Sequence, residues 1–330
     1  MREVVESTFG EIDVSVIIPT KDRLWSLPKA VASARSDKLR IQIIVMDDGS
    51  SDGTAEWLQT QPDIEVVEGQ GWGKPWGVNK AVKLARGRYI RFLDSDDWLN
   101  PGATEEQFEM AERDGADVVV AGCDFYDDET PTGNEPWVTT DDFIAQQIGE
   151  TVSSTYLAFL FRRSFVEDIP HRTMFPASDF ASRDDRCFML EVALKHPKVS
   201  ICEYRTVSVR QHKKARLQFQ GGLKREGTLI QQLYIYKQIL ALLERRGELT
   251  VRRRRAAAKM LWPLAHWIAY THIREGADLA AWIYQLDPEF TPPEPGLLGR
   301  LYRTAGFAKT EKILRTRRQF LGLLPRRPQA

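Results

Sequence analysis

Cysteine is scarce. Only Cys123, Cys187 and Cys202 occur in 330 residues, an odd number without metal-knot spacing. This excludes a disulfide-stapled scaffold and a structural zinc site, and a reducing compartment is expected. Long apolar runs are also missing. The longest, Met260 to Tyr270, is interrupted by Pro263 and His266 and falls far short of the ~20 residues that span a bilayer. Met1 to Ile12 lacks the basic-then-apolar pattern of a leader, so a cytoplasmic location is expected. No nucleic-acid-binding module is recognisable, which argues against a nucleic-acid partner. Net charge is zero as well, but its distribution is uneven. From residue 221 onward there are 20 Lys+Arg against 9 Asp+Glu, and residues 1–220 hold 26 against 37. Such asymmetry suits partners of opposite sign, or simply one half docking on the other.

Within this frame, apolar and turn-forming segments alternate. Val14 to Ile18, Ile41 to Met46, Ile64 to Val67, Tyr89 to Leu93 and Asp117 to Ala121 read as buried strands. Leu27 to Ala34, Ala55 to Thr60, Val78 to Ala85 and Pro101 to Arg113 have helical spacing between them. The alternation predicts an α/β domain with a mainly parallel, doubly wound sheet. Tyr156 to Phe161 reads as a strand, Asp184 to Leu194 as a helix, and Val199 to Ile201 and Thr206 to Arg210 as short strands. From Leu223 the character becomes helical, which places a boundary near residue 220: an α/β domain over 1–220 and a basic helical region over 221–330.

Two of the strands run into acids. Asp47-Asp48-Gly49-Ser50-Ser51-Asp52-Gly53-Thr54 follows one, and Asp94-Ser95-Asp96-Asp97 follows another. In open α/β sheets ligands bind beyond the carboxyl ends of the strands. Two acidic loops on one rim repel each other unless a cation lies between them, and carboxylate oxygens suit Mg²⁺ or Mn²⁺ bound to a diphosphate. Acids and glycines are also ordinary turn residues, so surface loops with no ligand explain either cluster taken alone.

Val16-Ile17-Ile18-Pro19-Thr20, the Asp47–Thr54 cluster and Gly87-Arg88-Tyr89-Ile90-Arg91-Phe92-Leu93-Asp94-Ser95-Asp96-Asp97 together closely resemble glycosyltransferase family 2. The resemblance covers roughly residues 12–215. It implies the GT-A fold, a Rossmann-like nucleotide-binding sheet with flanking helices, followed here by the helical C-terminal region. It also implies inverting transfer of a sugar from a nucleotide-sugar donor, UDP-linked by base rate, to a glycan or lipid-linked acceptor.

Carried over by position, Pro19, Thr20 and Asp22 belong to the nucleoside loop, and Asp48 to the base contact. Asn79 lies in the helix beside the donor. Asp94, Ser95, Asp96 and Asp97 form the acidic motif, with Asp96 facing ribose or metal and Asp97 the metal. The family's Ala-Arg-Asn is Gly77-Val78-Asn79 here, so its arginine is missing, and Lys74 is the candidate substitute. An acceptor hydroxyl loses its proton as it attacks, which calls for a carboxylate base. The resemblance places that base in Arg183-Asp184-Asp185-Arg186, with Asp185 as base and Asp184 assisting the acceptor. Helix capping is the competing explanation of that pair. Arg210 and His212 resemble an element that closes over diphosphate or metal.

A nucleotidyltransferase is disfavoured because Pro19-Thr20-Lys21-Asp22-Arg23 lacks the glycines of its phosphate loop. A non-catalytic sugar-nucleotide scaffold is the remaining alternative. Trp72, Trp76 and Trp98 flank the site in sequence, as sugar-stacking or plain packing residues. Arg252 to Arg255, and nine basic residues from Arg300 to Arg327 against Glu311 alone, suit either an anionic membrane surface, with a peripheral location at its inner face, or a solvated helix face.

Overall fold

A computed structural model of the chain describes residues 11–151, 154–171, 184–212 and 223–320. Its first compact unit comprises residues up to Asp141 together with Val152–Gln218, and its second comprises Asp142–Thr151 together with the residues from Phe219. The segment 142–151, which a single division near residue 220 would leave in the N-terminal half, groups with the C-terminal helices.

The first unit begins β1 (Val14–Thr20), α1 (Leu27–Ala34), β2 (Ile41–Asp47), α2 (Thr54–Gln59), β3 (Ile64–Glu68), α3 (Lys74–Leu84) and β4 (Tyr89–Phe92). It continues with β5 (Trp98–Leu99), α4 (Ala103–Asp114), β6 (Val118–Asp127) and β7 (Thr130–Glu135). After α5 (Phe143–Ile148), which belongs to the second unit, come β8 (Leu160–Arg162), α6 (Arg163–Val166), α7 (Asp184–Ala193) and β9 (Val199–Gln211). The strands form one sheet in the order β3-β2-β1-β4-β8-β6-β9-β5, with β7 paired to β6.

β1 to β4 are parallel, as their alternation with helices requires. Chain order reverses beside β1, which makes the β1–β4 edge the topological switch point where ligands of such sheets bind. The remainder departs from the doubly wound expectation. β8 runs antiparallel to both β4 and β6, and β5 antiparallel to β9. β8 follows a 3₁₀ turn at Tyr156–Ala158 rather than a crossover helix, so nothing enforces parallel entry. The two short strands expected near Val199 and Thr206 are one strand, β9, irregular against β6 around Val120–Cys123.

Local chemistry sets the ends of these elements. Pro28 sits in the first turn of α1, whose Leu27, Ala30, Val31 and Ala34 face the core. Pro75 does the same for α3, which begins at Lys74, one turn earlier than the apolar spacing suggests. Gly87 brings the chain against β1: its N–H donates to Ser15 Oγ at 2.8 Å, and a Cβ there would lie 2.4 Å from the Ser15 nitrogen. Arg91 crosses the core, fully buried, and donates to Gln107 Oε1 at 2.6 Å.

The second unit packs α5 with α8 (Leu223–Arg245), α9 (Val251–Thr271), α10 (Ile273–Leu286), α11 (Gly296–Ala305) and α12 (Phe307–Phe320). Its core holds Tyr236, Leu261, Trp262, Leu264, Leu279 and Ile283. Asp142 caps α5 by accepting from the Ala145 N–H at 2.9 Å, and it pairs with Arg253 at 2.9 Å. The Tyr236 hydroxyl donates to the Ile148 carbonyl. Among the described residues no helix is long and apolar enough to cross a membrane. Leu321 to Arg327 of the basic tail lie outside the described residues.

Candidate active site

Three loops leave the carboxyl ends of β1, β2 and β4, and acids of the first two tie those loops together. Asp22, at a left-handed φ of 51°, accepts from the Ser51 N–H at 2.7 Å, and its own N–H donates to Ser50 Oγ at 2.8 Å. Asp52 accepts from the Leu24 N–H at 3.0 Å. Pro19 and Thr20 end β1 in register with Met46 and Asp47. Thr20 Oγ1 is buried with no partner among the described residues, at the switch point.

Asp48 is buried, and its two oxygens accept from the N–H groups of Trp72 and Gly73, each at 2.9 Å. It therefore fastens the β3–α3 loop over the β2 end. Gly69 is a condition of this contact, since a Cβ there would lie 2.6 Å from Asp48 Oδ1. The loop presents Trp72, half exposed, edge-on to Trp76 at 4.1 Å. Hydrogen bonds to a charged group contribute about 1.5–3 kcal/mol each. Asp48→Ala is thus expected to destabilise the fold by about 3–6 kcal/mol in urea unfolding and to open residues 69–73 to proteolysis. Asp48→Asn, which keeps one acceptor, should lose less.

Beyond β4 the chain turns tightly, with the Asp97 N–H on the Asp94 carbonyl at 3.1 Å. The turn gathers one carboxylate oxygen each from Asp94, Asp96 and Asp97 within 4.8 Å of one another. Each carboxylate is also oriented by a donor: Lys74 Nζ on Asp94 at 2.6 Å, His212 Nε2 beside Asp96 at 2.8 Å, and the Arg210 N–H on Asp97 at 2.8 Å. Ser95 is buried within the turn. His212 Nδ1 is buried without a partner among the described residues, and its ring meets Trp25 edge-on at 4.9 Å. Three hard carboxylates converging in this way, with an imidazole against one of them, fit a divalent cation such as Mg²⁺ or Mn²⁺.

Arg210 reaches this turn with its backbone. Its buried guanidinium lies between the rings of Trp25 and Trp98, at 5.3 and 5.1 Å, and donates to Glu129 at 2.7 Å. Asn79 also has a role the sequence did not suggest. Its amide donates to the His171 carbonyl at 2.6 Å and accepts from the His171 N–H at 2.7 Å, locking α3 to the segment after β8.

On the α7 side the groups are buried and coupled. Burial pulls the Lys74 ammonium down, but Asp94, Tyr156 and Asp184 together carry it well above the ordinary lysine range. Burial pushes the Asp184 carboxyl up to about 7; Lys74 opposes this rise and Asp185 reinforces it. Asp184 Oδ2 has no partner among the described residues. Asp185, half-buried at the start of α7, accepts from the Arg186 N–H at 2.7 Å. His171 stacks on Phe188 at 4.1 Å and touches Phe92 and Tyr156. Both its ring nitrogens are buried and unpartnered among the described residues. Burial, assisted by Lys74, lowers its pKa to about 3, so the ring is neutral. Nothing near His171 in the sequence signals this place.

The acidic triad, with Lys74 paired to its Asp94, thus lies at the strand end where ligands of open α/β sheets bind. The profile described as "Glycosyl transferase family 2" matches residues 15–174, and this segment of the chain is similar to that family. EpsH of Bacillus subtilis, named as a glycosyltransferase, is 28% identical over 181 residues, covering 49% of this chain and 50% of that protein. The succinoglycan biosynthesis protein ExoO of Rhizobium meliloti is 28% identical over 116 residues, 34% of this chain and 33% of that one. The chain thus spans half or less of the length of these curated relatives. Among solved structures, S. aureus TarS residues 1–349 in complex with UDP-GlcNAc superposes with a TM-score of 0.58 at 16% identity, covering 96% of this chain and 93% of that one. This likeness establishes the GT-A fold with its helical C-terminal region.

Proposed function

We propose that the chain transfers a sugar, with inversion, from a UDP-sugar to a hydroxyl of a glycan or lipid-linked acceptor. The observation that carries this reading is the convergence of Asp94, Asp96 and Asp97 oxygens within 4.8 Å at the end of a switch-point strand. TarS structures with UDP and UDP-GlcNAc support the choice of nucleotide. ExoO, named for succinoglycan biosynthesis, supports a glycan product.

In this reading Asp97 and Asp96, with His212 beside them, would hold Mg²⁺ or Mn²⁺, and the ion would supply positive charge to the departing diphosphate. Pro19, Thr20 and Asp22 border the nucleoside, and Asp48 shapes its pocket by fixing the Trp72–Gly73 backbone. Lys74 takes the place of the arginine missing from Gly77-Val78-Asn79, and its charge, held by Asp94, is available to a phosphate. Asp185 accepts the acceptor's proton. The buried Asp184, held protonated more readily than an ordinary carboxyl, donates a hydrogen bond to the acceptor. The chain works at the cytoplasmic face of a membrane.

A panel of nucleoside diphosphates and nucleotide sugars, with and without Mn²⁺, tests this by thermal shift. At about a hundred times Kd, UDP with Mn²⁺ is expected to raise Tm by roughly 5–10 °C. Asp97→Ala should abolish the shift. Stabilisation by no nucleotide, or an equal shift in Asp97→Ala, sinks the reading.

A further inference from the structure

The basic half of the chain divides into paired and unpaired cations. Each arginine of the Arg252–Arg255 run has an acidic partner in its own unit: Glu150, Asp142, Glu244 and Glu289 respectively. That run is therefore neutralised internally. The last two helices differ. Residues 296–320 carry seven Lys+Arg and one acid, Glu311. Glu311 is buried, where it receives His266 at 2.7 Å, the Tyr302 hydroxyl at 2.7 Å and Arg318 at 3.3 Å. The acid thus anchors α12 inward and leaves the outer face without negative charge.

The exposed positions of α12 are Lys309, Lys312, Ile313, Thr316 and Arg317, a single stripe at helical spacing. Those of α11 include Leu297, Arg300, Arg303 and Thr304. Among the described residues, none of these five Lys and Arg has an acidic partner. The same two helices carry two exposed aliphatic side chains, Leu297 at 73% and Ile313 at 51% exposure. A nucleic acid would match the cations but leave the aliphatic residues in water. An anionic bilayer satisfies both, phosphates meeting the cations and the acyl boundary meeting the leucine and isoleucine.

We infer that the solvent faces of α11 and α12 form a docking surface for an anionic lipid bilayer. The inference deepens the proposed function and rests on it for the meaning of the contact, since the surface would bring the chain to lipid-linked acceptors. Its test needs no sugar chemistry. The full chain is floated with vesicles of phosphatidylcholine and phosphatidylglycerol in equal parts, and with phosphatidylcholine alone. Binding to the first only, weakening with salt, is expected.

Each basic residue near such a surface is worth roughly a fivefold change in partition. Lys309→Gln with Lys312→Gln and Arg317→Gln should therefore lower binding on the order of a hundredfold. Leu297→Ser with Ile313→Ser should weaken it while keeping the salt response. Arg252→Gln with Arg255→Gln should leave it unchanged. Equal binding to both vesicles, binding to neither, an unaffected triple variant, or tighter binding to a single-stranded oligonucleotide would each overturn the inference. The UDP thermal shift, run on the same samples, tells failure of the surface from failure of the donor site.

Discussion

Asp185→Asn is expected to lower sugar transfer on the order of 10²–10⁴-fold and to leave UDP binding within about twofold, because a general base contributes to the transition state and little to ground-state donor affinity. Asp185 sits half-buried at the start of α7, and its neighbour Asp184 is buried with an oxygen lacking a partner among the described residues. The two carboxyl groups therefore differ in kind: Asp185 is half-buried, whereas Asp184 is desolvated and holds its proton to about pH 7. The measurement is single-turnover transfer with saturating donor, alongside calorimetric titration of UDP with Mn²⁺. Retention of transfer within tenfold of the unmodified chain would remove Asp185 from the base's role. Loss of UDP binding in the same variant would mean that the residue shapes the donor pocket instead.

His171→Phe is expected to make the protein more tolerant of acid. The folded-state pKa of His171 is depressed to about 3, from an ordinary value of 6.5. As pH falls below about 6.5 the unfolded chain takes the proton and the folded one does not, so stability is lost progressively down to about pH 3. At pH 5 that loss is about 2 kcal/mol. Asp184 acts with the opposite sign: its raised pKa means that the folded state binds the proton first, and stability falls as pH rises from about 3.8 to about 7. In the unmodified chain the two slopes partly cancel. His171→Phe removes one, and because no ring hydrogen bond is present among the described residues, none is given up. Urea unfolding at pH 5 and pH 8 measures this, and the difference between the two pH values cancels any packing change. An unaltered difference would show that His171 protonates freely in the native protein.

What the sequence announced and what it hid follow from the reach of each interaction. Strands β1, β2 and β4 were legible because their residues are buried on both faces, which leaves continuous β-branched runs such as Val14 to Ile18. The acidic turns were legible because short range suffices to define a turn. β7, by contrast, is Thr130-Pro131-Thr132-Gly133-Asn134-Glu135, almost wholly exposed, so no alternation marks it. The antiparallel β8 depends on partners distant in sequence. The same limit applies in the site. Asp94, Asp96, Asp97 and His212 come together at the end of β4. The pairing of Lys74 with Asp94, the cage around His171 and the clamp between Asn79 and His171 join segments 20 to 92 residues apart, and no local pattern encodes them. The guanidinium of Arg210 was hidden for a related reason: its destination is set by Trp25, Trp98 and Glu129, each delivered by a different element.

The excursion of residues 142–151 into the helical unit bears on modularity. The chain passes from one unit to the other at Asp141, returns at Val152 and leaves again after Gln218. A single cut near residue 220 therefore severs no complete module. It strands α5, whose Ile144, Ala145 and Ile148 are buried and whose cap Asp142 is fastened to Arg253. The helical unit thus draws on two separate stretches of the chain, 142–151 and the residues from Phe219. Exchange of the C-terminal region between relatives, by recombination or by design, would have to carry this ten-residue stitch with it.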